Sequence, residues 1–324
     1  MTGAAAAVSA APPELAGLDF RRTVDRRLVH RAAVAEVFLT DVREIGELRL
    51  AVAAQLPQSH LHYDDHLQDR PTTDPLLLVE VCRQAGIAGS HLLGVPADVA
   101  MLVNHFTLVV DDPHPLDPAG RPVELVVDTT YVPTKIRAGK VRRGHAEQRL
   151  LVAGRPVGRN LMEIQMVSGH EHDALRHLQR GTPAPSTAEF ADLAHRARLE
   201  PAAVGRRHPL NVVLADVARD AGTLTAVVAP RLDNRALFDH AYDHVPAMAL
   251  TEAARQLTLF ALAARVRPGA RITAVEAEFG RFAELDEPVL ATLVPASPGR
   301  NRVEFRQGGA VVATVTVQLV TDHP

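Results

Sequence analysis

"PLLLVEVCRQAG", residues 75–86, is an apolar run that carries Glu80, Arg83 and Gln84. On a helix, residues three and four apart share a face, so these three side chains point one way. Leu78, Val81, Cys82 and Ala85 cover the other directions, as in a core helix. Burying a carboxylate without a partner is costly, so the polar stripe must face internal partners or a cavity. "MALTEAARQLTLFALAARV", residues 248–266, repeats the pattern with Glu252, Arg255 and Gln256 at the same mutual spacing.

Working outward from the two helices, the flanking elements also repeat. "VFLTDV" (37–42) and "VVLADV" (212–217) align, each followed by a polar turn and an alternating strand. After each helix come β patterns: "MLVNHFTLVVDD", "RPVELVVDTTYVP" and "EQRLLVAGRPVGRNLMEIQMVS" in the first half. The second half has "RITAVEAEFGRFA", "EPVLATLVPAS" and "NRVEFRQGGAVVATVTVQLV", whose Gly308-Gly309 marks a two-residue hairpin. Alternating apolar residues fit antiparallel sheets with one face on a core. The expected class is α+β. Each half is a long central helix wrapped by a curved antiparallel sheet, the hotdog arrangement, and two tandem copies make a double hotdog, a pseudo-dimer in one chain. The expected boundaries are a disordered tail over 1–18, a first hotdog over 19–169, a Pro- and charge-rich linker over 170–205, and a second hotdog over 206–324.

Bulk properties narrow the function. The 324 residues are 47% hydrophobic and 23% charged. That is a soluble globular composition. The net charge of −3 gives no global field for nucleic acid. No apolar run is long enough to span a bilayer, and the small-residue N-terminus lacks the features of a signal peptide, so a cytoplasmic protein is expected. The single cysteine, Cys82, excludes an internal disulfide and a cysteine-built zinc site. "SHLHYDDH" (59–66) and "DHAYDH" (239–244) match no metal spacing, and no dinucleotide fingerprint is present, so neither metal nor redox cofactor is expected.

The stripe has two readings. It is either a self-satisfied Glu–Arg pair that fixes helix packing, or a carboxylate tuned by an arginine to act as a general base. "HLQDRPTTDPLLLVEVCRQAG" resembles the active-site region of hotdog β-hydroxyacyl-carrier-protein dehydratases at His66, Pro71, Glu80, Gln84 and Ala85, although Asp69 and Pro75 replace the glycines of that pattern. "FDHAYDHVPAMALTEAARQ" resembles the A-factor synthase (AfsA-like) family at Asp239, His240, Asp243, His244, Pro246, Met248, Glu252, Arg255 and Gln256, with Ala247 in place of a glycine. "VHR" (29–31), "VFLTD" (37–41) and "DPLLLVEVCRQAG" (74–86) also look like that family, so the resemblance covers nearly the whole chain.

The second resemblance implies an acyltransferase of γ-butyrolactone signal biosynthesis. It would move a β-ketoacyl group from acyl carrier protein to the hydroxyl of dihydroxyacetone phosphate. Glu80 or Glu252 would be the base, with His66 a further catalytic candidate. Arg83, Gln84, Arg255, Gln256, Asp243 and His244 would bind substrate. Backbone N–H groups near Asp74–Leu76 or Ala247–Met248 would polarise the thioester. The basic stretch "TKIRAGKVRRGH" (134–145) is either a solvated edge or a patch for an acidic carrier protein or substrate phosphate. Competing readings keep the fold but make the protein a dehydratase or thioesterase using His66 with Glu80, or a non-catalytic acyl-ligand-binding protein.

Overall fold

The computed structural model describes residues 12–67, 72–190, 196–262, 270–294, 296–297 and 299–321. Pro71 and Asp69, two positions of the dehydratase-like stretch, lie outside them.

The first half runs β1 (Leu39–Gly46), β2 (Arg49–Leu56), α1 (Pro75–Leu92), β3 (Ala100–Val110), β4 (Val123–Arg137), β5 (Lys140–Val152) and β6 (Arg155–Val167). After α2 (Gly169–Arg180), the second half repeats the order as β7 (Leu214–Asp220), β8 (Thr223–Val228), α3 (Ala247–Leu262), β9 (Ala270–Phe279), β10 (Leu290–Val294), β11 (Arg300–Gln307) and β12 (Ala310–Thr321). The described strands form one sheet in the order β1-β2-β4-β5-β6-β3-β9-β12-β11-β10-β8-β7. Read from either end, this order is the same set of equivalent strands. The halves join through the antiparallel pair β3–β9, where Phe106, Thr107 and Leu108 face Ala277, Glu276 and Val275. The strands leave the junction alike: Asp111 and Asp112 N–H donate to the Val157 carbonyl, as Gly280 and Arg281 N–H donate to that of Val312.

Both central helices are buried, from Leu76 to Ser90 except Arg83 in α1, and from Met248 to Thr258 in α3. The sheet comes closest to α1 at Gly89, where a Cβ would collide with Tyr131 and Leu50. Tyr131 Oη donates to the Gly86 carbonyl at 2.7 Å. A buried hydroxyl thus finds its partner by tying sheet to helix. The Gly308-Gly309 turn joins β11 to β12 with both residues in the left-handed region. The two-residue hairpin requires that conformation.

One expected boundary needs correction. The tail does not run through residue 18: Leu15 is buried with Ala51 and Leu151 on the outer face of the first half. The connecting segment begins with a helix. Ser168 caps α2 in a reciprocal box with Glu171. The helix is bolted to the second half through Arg176, which is buried against Glu284.

Candidate active site

The stripe of α1 is a saturated ion cluster. Glu80 is fully buried and accepts from Arg83 Nε (2.8 Å), Arg83 Nη2 (2.9 Å), Gln84 Nε2 (2.6 Å) and Arg31 Nε (3.1 Å). Burial alone would raise its pKa, but Arg31 and Arg83 outweigh that and hold it at about 2. In α3, Glu252 accepts from Arg206 Nε (2.9 Å), Arg255 Nε (2.8 Å), Arg255 Nη2 (2.8 Å) and Gln256 Nε2 (2.5 Å). Burial again opposes ionisation, and Arg206 and Arg255 override it to keep the carboxyl well below the usual carboxylate range.

These contacts overturn the base role expected of Glu80 and Glu252. A general base needs a free lone pair and a pKa near the working pH. Each carboxylate already accepts four hydrogen bonds and is held ionised well below that pH. Gln84 and Gln256 are likewise not substrate ligands. Gln84 accepts from Phe38 N–H (3.0 Å) and donates to the Glu36 carbonyl (2.7 Å), and Gln256 does the same with Val213 and Asn211, pinning each helix to the strand entry beside it. Cys82 is buried and its thiol pKa is pushed up by burial, so it is no nucleophile.

The two halves are cross-clamped. Arg31 of the first half reaches Asp239 of the second (3.1 Å), which also accepts from Ala32 N–H (2.9 Å). Reciprocally, Arg206 of the second half donates to the Asp65 carbonyl (2.7 Å), and the Asp65 carboxylate accepts from Arg207 N–H (2.9 Å) and His208 N–H (3.1 Å). Asp65-His66 therefore corresponds to Asp239-His240, and each site is built from the helix stripe of one half and the Asp-His loop of the other. This corrects the pairing of His66 with Glu80: His66 lies beside Arg255, in a cleft of only about 50 Å³. Its Nε2 donates to the Thr72 carbonyl (3.0 Å).

The other cleft holds about 670 Å³. Arg83 enters it from α1; His240, His244, Ala247 and Met248 enter from the second half; Leu175 and Leu178 enter from α2. His240 Nδ1 donates to Asp239 Oδ1 (2.6 Å) and His244 Nδ1 to Asp243 Oδ1 (2.6 Å). Each aspartate is backed by an arginine, Arg31 for Asp239 and Arg176 for Asp243 (2.8 Å). Burial would raise both aspartates, but the histidine contacts and these arginines lower them to about 2, so both stay ionised. A carboxylate on Nδ1 fixes the tautomer and leaves Nε2 as acceptor. His30 also lines this cleft. Its Nε2 meets His91 Nε2 at 2.7 Å, and burial, His91, Arg83 and His240 lower its pKa to about 4, so it stays neutral.

The helix ends differ in the same sense. At α1, Asp74 Oδ1 accepts from Leu76 N–H (2.8 Å). Pro75 has no N–H to offer, so the first donors there are used or absent. At α3, Pro246 precedes the helix, and Ala247 and Met248 N–H have no acceptor among the described residues.

Arg31, Arg206, Arg176 and His30 were not among the expected site residues. A signal existed for two of them. Extending the alignment of residues 37 and 212 back by six positions puts Arg31 on Arg206. Among the described residues, no group of three or more His, Cys, Asp or Glu is placed to hold a metal ion. No helix among them is long and apolar enough to cross a membrane.

Two helix-and-sheet units sharing one continuous sheet, with a large cleft at their junction, define a double-hotdog protein. Solved structures agree on the fold. A 12:0-ACP thioesterase from Umbellularia californica superposes with a TM-score of 0.50 at 11% identity, covering 86% of this chain and 99% of that one. The dehydratase domain of the CurF module of curacin polyketide synthase gives 0.50 at 10% identity, covering 88% and 98%. The model of the A-factor biosynthesis hotdog domain matches twice, at residues 16–168 and 187–321, and the chain belongs to that family. A 2-oxo-3-(phosphooxy)propyl 3-oxoalkanoate synthase from Streptomyces virginiae is 31% identical over 86% of this chain and 90% of its own length. A protein of the same name from Streptomyces griseus is 29% identical over 100% of this chain and 94% of its own.

Proposed function

We propose that the protein is an acyltransferase that moves a 3-oxoacyl group from a thioester to the hydroxyl of dihydroxyacetone phosphate, within the large cleft. The product would be a 2-oxo-3-(phosphooxy)propyl 3-oxoalkanoate, as named for the relatives. The reading includes a carrier-protein thioester as donor and a cytoplasmic location. The observation that carries it is the convergence, in one 670 Å³ cleft, of an Asp–His dyad, a partly exposed arginine and an uncapped helix N-terminus.

In this mechanism His240 Nε2 takes the proton of the acceptor hydroxyl as its oxygen attacks the thioester carbonyl carbon. Asp239 holds the resulting imidazolium. Ala247 and Met248 N–H receive the oxyanion, favoured by the positive end of α3. Collapse of the tetrahedral intermediate breaks the C–S bond, and the imidazolium returns its proton to the leaving sulfur. Glu80 orients Arg83 rather than acting on substrate, and Arg83 binds the acceptor's phosphate. Arg281, which also lines the cleft and has no ion-pair partner among the described residues, adds a second cation.

The test is incubation of the purified protein with a 3-oxoacyl thioester and dihydroxyacetone phosphate, followed by mass spectrometry. A phosphorylated ester is expected. Free 3-oxo acid formed without acceptor, an enoyl product, or binding without turnover would each replace this reading with hydrolysis, dehydration or ligand binding.

A further inference from the structure

The tip of the β4–β5 hairpin stands out in charge. Residues 134–143, "TKIRAGKVRR", hold five Lys or Arg and no acidic residue, in a chain of net charge −3. Arg142 pairs with Glu171 in the first turn of α2, which fixes the tip beside that helix. Arg143 donates to Gln165 (3.2 Å) and lines the large cleft. Lys135, Arg137 and Lys140 are exposed and have no ion-pair partner among the described residues. Between them Ile136 is 63% exposed; along α2, Leu178 is 83% exposed and also lines the cleft.

Cations on a hairpin tip are commonly no more than solvated. Here their position argues for more. Arg143 lines the cleft itself, and the Arg142–Glu171 pair holds the tip beside α2, whose Leu178 also lines it, so the exposed cations stand beside the cleft together with exposed Ile136 and Leu178. The reacting carbonyl must reach Ala247 and Met248 inside, so whatever carries the acyl chain rests on the rim of the cleft, of which Arg143 and α2 form a part. We propose that the β4–β5 tip and the outer face of α2 form the docking face for an acidic carrier protein, which delivers the acyl group as a thioester on a flexible arm. This rests on the acyl-transfer reading. Unpaired lysine and arginine would steer the acidic partner to the mouth, and Ile136 and Leu178 would seat its apolar contacts.

The experiment compares wild type with the triple variant Lys135→Glu, Arg137→Glu, Lys140→Glu, whose positions touch neither the cleft nor the core. Two donors carry the same 3-oxoacyl chain, one a bacterial acyl carrier protein and the other a short pantetheine-like thiol. With the carrier-bound donor, kcat/KM is expected to fall roughly tenfold or more and to lose much of its salt dependence. With the short donor it should stay within about twofold, since no cleft residue changes. Equal loss with both donors, or no loss with either, would overturn the docking face. If wild type transfers from neither donor, the acyl-transfer reading fails, and docking is read separately by titrating the carrier protein in calorimetry. Binding that disappears in the triple variant supports the face. Carrier binding that is absent or unaffected by the variant, including where anionic vesicles bind instead, refutes it.

Discussion

The two clefts began as copies, and they have diverged in three matched features. The large one holds about 670 Å³ and the small one about 50 Å³. In the large cleft Asp239 spends one oxygen on Ala32 N–H and shares the other between His240 and Arg31. In the small cleft Asp65 spends its oxygens on Arg207 N–H, His208 N–H and Asn211, and His66 has no carboxylate partner among the described residues. The helix facing the large cleft opens with two N–H groups, those of Ala247 and Met248, that have no acceptor among the described residues. The helix facing the small one opens with proline and a capping aspartate. The small cleft is further occupied by an ion pair, Arg271 with Asp117 (2.7 Å), at its rim. Duplication supplies two frames, and the proposed chemistry belongs to the one that combines the Asp–His pair, the helix-end donors and the room.

The largest test of this contrast exchanges the histidines. His240→Asn should lower turnover by roughly 10²–10⁴-fold, the usual worth of a general base. His66→Asn should leave steady-state turnover within about twofold. Loss of activity in the second variant with the first intact would reverse the assignment of the clefts.

A slightly smaller effect comes from making the two helix ends alike. Ala247→Pro deletes one N–H at the first helical position, where proline is well tolerated, as Pro75 already shows in α1. Thermal stability should hold while kcat falls by about 10²–10³-fold, the worth of one oxyanion donor. Pro75→Ala should change nothing in the assay. If Ala247→Pro is fully active, the thioester oxygen is bound elsewhere.

Glu80 and Glu252 test what the halves still share. Glu252→Gln leaves two buried guanidiniums facing a neutral amide, and Glu80→Gln leaves one buried and one partly exposed. Removing one partner of a buried pair costs about 3–5 kcal/mol, so both variants should melt well below wild type by calorimetry. Folded Glu252→Gln protein should still turn over substrate. A Glu252→Gln variant of normal stability and no activity would restore the carboxylate as the base.

The fold was open to reading because duplication printed the same polar stripe and strand order twice, and alternation marks each strand. The site was harder. Spacing alone put His66 fourteen residues before Glu80, yet His66 lines the small cleft while Glu80 is buried behind Arg83, which lines the large one, because each site is assembled across the halves. The stripe's polarity was visible, but its partners Arg31 and Arg206 lie 49 and 46 residues upstream of the glutamates they hold. Without them, a saturated ion cluster and a free base look the same in sequence. Arg176 was hidden differently. It sits in a charged segment that reads as a linker, and only docking on Glu284 makes it the support of Asp243 and so of His244.

The smallest expected effect is on stability against pH, and it separates the two regions again. His62, fully buried on the small-cleft side near Arg206, has its pKa lowered to about 4 by burial and then by that arginine; His30, in the large cleft, is lowered to about 4 by burial, His91 and Arg83. The unfolded chain protonates these rings near pH 6.5, the native protein only near 4. Between those values the unfolded state holds more protons, so stability rises with pH there and is lost as pH falls from 6.5 toward 4. Glu80 acts lower down: its contribution is complete above its ordinary value of 4.5 and disappears as pH falls toward 2. Melting temperatures should therefore already drop by a few degrees between pH 7 and pH 5, above the range in which the contribution of Glu80 is lost. His62→Asn, which removes a titrating ring from the closed side, should flatten part of that drop. His30→Asn should flatten less of it, because the large cleft lets water reach its ring. An equal slope in all three proteins would mean that neither histidine is held neutral by the fold.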